Sequence, residues 1–324
     1  MYFILSRGRT ILGKQGVISL GEAFVDYIST DSSNTKFRHL LGGATVNLAV
    51  GTSRLGLPAY YLCKLGTDSI GQFVEQELKK EGVNLDFSVR SDTKRMCGVY
   101  VHLTESGERN FHSYINHTPD EILREDELRR NVFEKTRIFY FGSGTLFQQK
   151  PKKTTESALK YAKEFSNLIA FDANLRLKRW ESEDHCRKTV VSFLKHANIV
   201  KLAEDELNFL METNSLEAGL EKLSKWDIPY LFITMGGKGA CGVMNGNKVF
   251  SRAPKVDAID TTGAGDAFMS GLLYCFHEKG MPEGKTELTE YLQFANRVGA
   301  AATTEIGSLT SRMDLMELRK LFNK

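Results

Sequence analysis

Two periods alternate along this chain. Short apolar runs are followed by stretches whose apolar residues recur every three or four positions, the spacings of buried strands and amphipathic helices. A strand opens at residues 17–20 and is expected to run on to residue 28. Residues 47–55 read as a helix stopped by Gly56 and Pro58. Residues 60–65 are strand-like, and 70–80 carry a helical apolar face at Ile70, Phe73, Val74 and Leu78, ended by Gly82. The rhythm sharpens in the second half. Strands are expected at 138–141, 168–171, 199–202 and 230–234. Helices fall between them, one with Pro151 in its first turn, one across 186–194 and one from Asp205. This alternation predicts an α/β fold, a mostly parallel central sheet with helices on both faces.

Two stretches break the rhythm. Residues 27–43 and 94–115 lack helical spacing, and the second contains the alternating run Gly98 to Leu103 and the turn Glu105 to Glu108. They predict antiparallel strands outside the main sheet, a small β-strand lid. Asn245-Gly246 predicts a further hairpin between 242–244 and 248–250. No repeat, low-complexity tract or Pro/Ser-rich tether divides the chain, so one domain over residues 1–324 is expected, carrying that lid.

Composition narrows the class. A net charge of +3 from 43 basic and 40 acidic residues gives no electrostatic footprint for nucleic acid or a membrane surface. The basic run at 150–153 reads as solvated surface. No apolar run reaches the ~18 residues of a membrane span. At the N-terminus Arg7 and Arg9 follow the apolar residues, the reverse of a secretory signal. The five cysteines are scattered and form no CxxC pair, which argues against zinc and for a reducing compartment, the cytoplasm.

The sharpest chemistry lies in Asp260-Thr261-Thr262-Gly263-Ala264-Gly265-Asp266-Ala267-Phe268, between strand-like residues and a helical run to Phe276. Small residues at 263–265 let the backbone turn tightly and point successive N–H groups into one hollow. That hollow opens at a helix N-terminus, where unpaired donors and the helix dipole favour an anion. A carboxylate at Asp266 conflicts with simple anion binding. It makes sense facing a substrate hydroxyl, accepting its proton while the amides cradle a phosphoryl group. A helix cap is the bland alternative. Gly236-Gly237-Lys238-Gly239 is not a P-loop, because no Ser or Thr follows Lys238.

Residues 260–268 resemble the C-terminal signature of the PfkB (ribokinase-like) carbohydrate kinases, and the resemblance covers nearly the whole chain. It implies a ribokinase-like three-layer α/β/α fold, with ATP and Mg2+ as cofactors. It also implies Asp266 as catalytic base and the amides of Gly263, Ala264, Gly265 and Asp266 as an anion hole. Leu41-Gly42-Gly43-Ala44-Thr45-Val46-Asn47 is similar to the family's first signature. Gly42 and Gly43 permit close backbone approach to a sugar, and Asn47 can donate and accept toward its hydroxyls. Asp26, read here as ending the first strand, suits two adjacent sugar hydroxyls. Gly66-Thr67-Asp68 with Gly71 also matches, and is read as a structural turn.

Phe171-Asp172-Ala173-Asn174-Leu175-Arg176, followed by Trp180, resembles a segment of bacterial fructokinases and of 2-keto-3-deoxygluconate kinases. Arg176 is thereby implied to contact the substrate or the transferred phosphoryl group. Ala173 departs from the pattern, where Pro is usual. Lys201 matches the fructokinase branch on the ATP side. Ala203 departs from an NxxE motif, while Glu206 remains and is implied to act on Mg2+ through water. Thr234, Gly236, Gly237 and Gly239 end a strand beside the implied ATP site, and Asn296 matches the adenine-side helix. Asp260 and Thr262 are implied to help hold K+ in members that need it. The later loop at 306–309 aligns ambiguously, so K+ dependence stays open.

The expected function is that of an ATP-dependent, fructokinase-like sugar kinase, taking fructose to fructose 6-phosphate. One alternative is a 2-keto-3-deoxygluconate kinase, its acid met by Arg95, Arg109 and Tyr114, or another sugar kinase of the same family. The other is a non-catalytic sugar- or nucleotide-binding regulator on the same fold. Resemblance further implies a homodimer formed through the lid.

Overall fold

The fold is that of a computed structural model, which describes residues 13–104, 109–307, 309 and 314–322. The chain begins with β1 (Val17–Leu20), β2 (Phe24–Ser29), β3 (Phe37–Gly42) and α1 (Ala44–Arg54). There follow β4 (Ala59–Leu62), β5 (Lys64–Gly66), α2 (Ser69–Lys80), β6 (Val89–Ser91), β7 (Cys97–Leu103) and β8 (Arg109–Ile115). The middle holds α3 (Arg130–Lys135), β9 (Ile138–Gly142), α4 (Gln149–Glu164), β10 (Leu168–Asp172), α5 (Glu183–Leu194), β11 (Ile199–Ala203), α6 (Glu204–Met211) and α7 (Leu216–Leu223). The chain continues with β12 (Tyr230–Thr234), β13 (Ala240–Met244), β14 (Asn247–Ser251), α8 (Ala264–Glu278), α9 (Lys285–Ala302) and α10 (Leu315–Phe322).

Eight of these strands form one sheet in the order β14-β13-β12-β11-β10-β9-β1-β4. From β12 to β4 every pairing is parallel, and β13 and β14 are added antiparallel, β13 against β12 and β14 against β13. The turn of the β13–β14 hairpin is at Asn245-Gly246, as the sequence predicts. Strand residues alternate between two cores, which explains the continuous apolar runs. Phe139, Phe141, Phe171, Val200 and Ile233 pack with α3 to α6 on one face. Ile138, Tyr140, Ala170, Ile199 and Phe232 pack with α1, α8 and α9 on the other. A sheet covered on both faces by helices is thus the expected α/β architecture.

Several expectations are corrected. The strand predicted over 17–28 is two strands in two sheets. β1 ends at Leu20, and Gly21 crowds against the Thr45 side chain, leaving no room for a Cβ. The backbone there bends out of the main sheet and enters β2. The strand predicted over 60–65 likewise splits at Cys63, because β5 pairs with β6 rather than with β1. The lid sheet, ordered β3-β2-β7-β8, starts at Phe24 and is mixed: β2 and β7 run parallel. Half-exposed strands carry no sequence mark of their direction. The expected turn at 105–108 lies outside the described residues. Asp68, in the segment read as structural, caps α2 by accepting the Gly71 N–H at 2.8 Å.

Candidate active site

Helix α8 starts at Ala264 because Gly263 adopts φ 78°, a left-handed turn that L-residues with a Cβ rarely take. The N–H groups of Gly263, Gly265 and Asp266 make no backbone hydrogen bond to the described residues, as expected for a helix N-terminus. The Ala264 N–H closes a turn onto Thr261 O at 3.2 Å, so it drops out of the predicted set of open donors. A Cβ on Gly265 would lie 2.9 Å from Lys201 Nζ. The glycine therefore lets an ammonium group reach the helix end.

Register brings Lys201 there with a partner. Parallel pairing of β10 with β11 places Asp172 directly beside Lys201. The two form a buried ion pair, Nζ to Oδ1 3.1 Å and to Oδ2 3.2 Å, with Asp172 fully buried. Burial pushes the Asp172 carboxyl up to about 6, against the pull of Lys201. Burial works against the Lys201 charge too, but Asp172, Glu206 and Asp266 together hold its proton more firmly than usual. Tyr140 Oη, buried and without a hydrogen-bond partner among the described residues, lies within the field of the same carboxylates. The role of Asp172 escaped sequence reading, since strand register is not written in the sequence.

Asp266 is 7% exposed. Asn47 Nδ2, in the second turn of α1, donates to its Oδ2 at 2.8 Å, and Asn174 Nδ2 donates to its Oδ1 at 3.3 Å. Burial raises its pKa, and the Asn47 bond and the charges of Lys201 and Arg176 offset part of that shift. The carboxylate is thus aimed by two amides and made more basic by desolvation. Asn174, missed as a site residue, takes φ 35°; its one sequence signal was an Asn in a tight loop, a residue that tolerates such backbone.

Glu206 explains how that loop is held. Its Oε1 accepts the Leu175 N–H at 2.6 Å and its Oε2 the Ala203 N–H at 2.8 Å. It clips the 173–176 loop to the start of α6, and burial raises its pKa. Arg176 is exposed, donating to its own neighbour Leu175 O, and its charge reaches Asp172 and Asp266.

Asp26 does not end the first strand. It stands in β2 of the lid, against Gly42, where a Cβ would meet its Oδ2 at 2.6 Å. Burial pushes its carboxyl up to about 6. Gly43 precedes α1, and a Cβ there would press on the Phe24 ring at 3.0 Å.

A cavity of about 950 Å³ opens beside the α8 N-terminus. Its walls include Lys201, Thr234, Gly236, Gly237, Gly239, Gly265 and Asn296, all expected on the ATP side, together with Ala264. Gly263 is not among the lining residues. Asn296 Nδ2 donates to Ser251 O at 3.0 Å, so it holds the wall beyond β14. Asp260 Oδ1 accepts the Thr262 N–H and Oδ2 the Gly307 N–H, each at 2.9 Å, tying two loops together. Ser308 of the 306–309 loop lies outside the described residues. No cluster of three or more His, Cys, Asp or Glu that could hold a metal occurs among the described residues.

A cleft at the carboxyl ends of a parallel sheet, joined to an anion-receptive helix start with a buried carboxylate, is the arrangement of a phosphoryl-transferring α/β enzyme. The chain belongs to the PfkB family of carbohydrate kinases, the model of "pfkB family carbohydrate kinase" matching residues 14–314. It is 31% identical over 304 residues to the fructokinase of Vibrio alginolyticus, covering 94% of this chain and 98% of that one. The fructokinase of Vibrio cholerae O395 with fructose, ADP and calcium bound superposes with a TM-score of 0.84 at 30% identity, covering 94% of this chain and 98% of that chain. Aminoimidazole riboside kinase from Salmonella enterica, with its riboside and an ATP analogue, superposes at 0.85 with 26% identity, covering 95% of this chain and all of that one. The protein is a fructokinase-like sugar kinase with the ribokinase-like fold.

Proposed function

We propose that this chain transfers the γ-phosphoryl group of ATP to the 6-hydroxyl of fructose, with Asp266 as general base, working as one domain under its β lid. The observation that carries the reading is the Asp266 carboxylate, buried, aimed by Asn47 and Asn174, and set in the first turn of α8 beside open amides. ATP lies in the cavity, with Thr234, Gly236, Gly237, Gly239 and Asn296 on its nucleoside side. The sugar lies between Asp26, Gly42, Gly43, Asn47 and Asp266. The sugar hydroxyl attacks the γ-phosphorus in line, Asp266 takes its proton, and ADP leaves. Charge on the phosphoryl oxygens is met by the Gly263, Gly265 and Asp266 amides and by Lys201. Arg176, exposed at the rim and able to swing, meets the same oxygens.

The residues present fit a hydrated Mg2+ entering with the nucleotide. Glu206 would hold it through water, since its oxygens already accept two amides. Bound there, Mg2+ would neutralise phosphate charge. Asp260, gathering the 262 and 307 loops, is suited with Thr262 to a monovalent cation such as K+. No described helix is long and apolar enough to cross a membrane. Five buried free cysteines fit a reducing cytoplasm. A homodimer through the lid is supported by its half-exposed aromatic face, where Tyr27 and Tyr100 stack at 4.8 Å.

Arg95 donates to the carbonyls of Asp92 and Lys94 and lies 3.6 Å from Asp68, which makes it a weaker candidate for the acid of the keto-acid reading. The Arg109 side chain lies outside the description. The test is ADP release measured with fructose, 2-keto-3-deoxygluconate and other sugars, with K+ or Na+. Fructose-dependent release lost in Asp266→Asn supports the reading. ADP release that no sugar stimulates would favour the binding regulator and overturn it.

A further inference from the structure

We propose that Arg179 is a positioning residue that latches the β lid to the loop carrying Asn174 and Arg176. Arg179 ends the short 3-10 turn that follows this loop. Its guanidinium carbon lies 5.4 Å from the Phe24 ring, 4.7 Å from the Tyr114 ring and 4.2 Å from the Phe147 ring. Phe24 belongs to β2 and Tyr114 to β8, both in the lid, where their rings meet at 5.5 Å. Phe147 belongs to the body, between β9 and α4, and packs edge-on to Trp180 at 6.2 Å.

A cation over ring faces is attracted by their quadrupoles, more strongly as water is excluded. Here one planar cation is shared among rings from three separate chain segments. A lid that swung away from the body would break two of the three contacts. The rings also border the sugar side. Phe24 precedes Asp26 by two residues and shares its face of β2. Arg179 follows Arg176 by three residues and Asn174 by five. The latch therefore fixes the distance between Asp26 on the lid and the loop that aims Asp266. It rests on the kinase reading above for its consequence: a held lid excludes water from the phosphoryl group and binds the sugar tightly. Among the described residues, the nucleotide cavity takes no wall from the lid strands.

The test compares wild type with Arg179→Leu and Arg179→Lys. In the substrate-free protein, amide hydrogen exchange of β2 and β8 should quicken about tenfold in Arg179→Leu, with exchange of the main sheet unchanged. The sugar KM should rise about tenfold, the ATP KM staying within about twofold. The share of ATP hydrolysed without sugar product should rise. Arg179→Lys, keeping the charge without the planar fork, should recover part of each effect. If Arg179→Leu does not fold, Arg179→Lys alone should show the smaller shifts in the same directions. Unchanged lid exchange with an unchanged sugar KM would overturn the latch, as would equal increases in both KM values. The exchange measurement needs no substrate, so failure of the kinase reading and failure of the latch are distinguishable.

Discussion

The proposed nucleotide side and the proposed sugar side of this molecule are built on different principles. The nucleotide cavity is walled by backbone at the ends of β11 and β12 and at the start of α8, all rooted in a sheet buried on both faces. Its proposed donors are main-chain amides at the start of α8 and the Lys201 ammonium, itself held by Asp172 in the neighbouring strand. The proposed sugar side draws on side chains from two sheets' surroundings, Asp26 on the lid and Asn47, Asn174 and Asp266 below it. The root of the lid is packed on the body, Val25 and Leu41 sharing a buried cluster with Val46, Ala49 and Val50 of α1, and an ion pair fixes its entry. Lys94, 1% exposed and just before β7, pairs at 2.8 Å with Glu22, in the crossing from β1 to β2. On the proposed reading, the difference teaches that phosphate handling is fixed by topology, whereas sugar handling rests on a small number of side chains.

The largest test of that division is Asp266→Asn. It should lower kcat by about 10²–10⁴-fold while ATP affinity, measured by calorimetry, stays near wild type. Next comes Lys94→Met, which strands Glu22 at the lid crossing. It should cost about 3 kcal/mol in urea unfolding and raise the sugar KM without changing the ATP KM. Gly265→Ala should do the reverse. Its Cβ would meet Lys201 Nζ at 2.9 Å, so kcat should fall about tenfold or more. Thermal stability should hold or rise, because alanine favours a helix over glycine. The smallest effect is with pH. Asp26 is ionised only above its raised pKa of about 6, so kcat/KM for the sugar should climb as pH rises through that value. A limb at the ordinary carboxylate position would contradict the buried setting of Asp26.

Much of the main sheet was legible in the sequence, and for a definite reason. Strands such as β9 and β10 are buried on both faces, so each reads as an uninterrupted apolar run. The lid was legible only as an exception to helical spacing. Its parallel β2–β7 pairing and the break at Gly21 depend on what lies across from each strand. In the site, Asp266 and the glycine turn were legible because one short segment contains both. Asp172, Arg179 and the true station of Asp26 were not, because each acquires its role from a neighbour distant in the chain.

Local sequence alone determined the strand and helix rhythm, the tight turn at Gly263 and the carboxylate set in the first turn of α8. These follow from side-chain size, backbone freedom and spacing within a few residues. Tertiary structure alone decided which charges stand together: Lys201 against Asp172 through strand register, Asn47 and Asn174 on Asp266, and Arg179 among three rings. Electrostatics and packing act through space, and only the folded chain sets those distances.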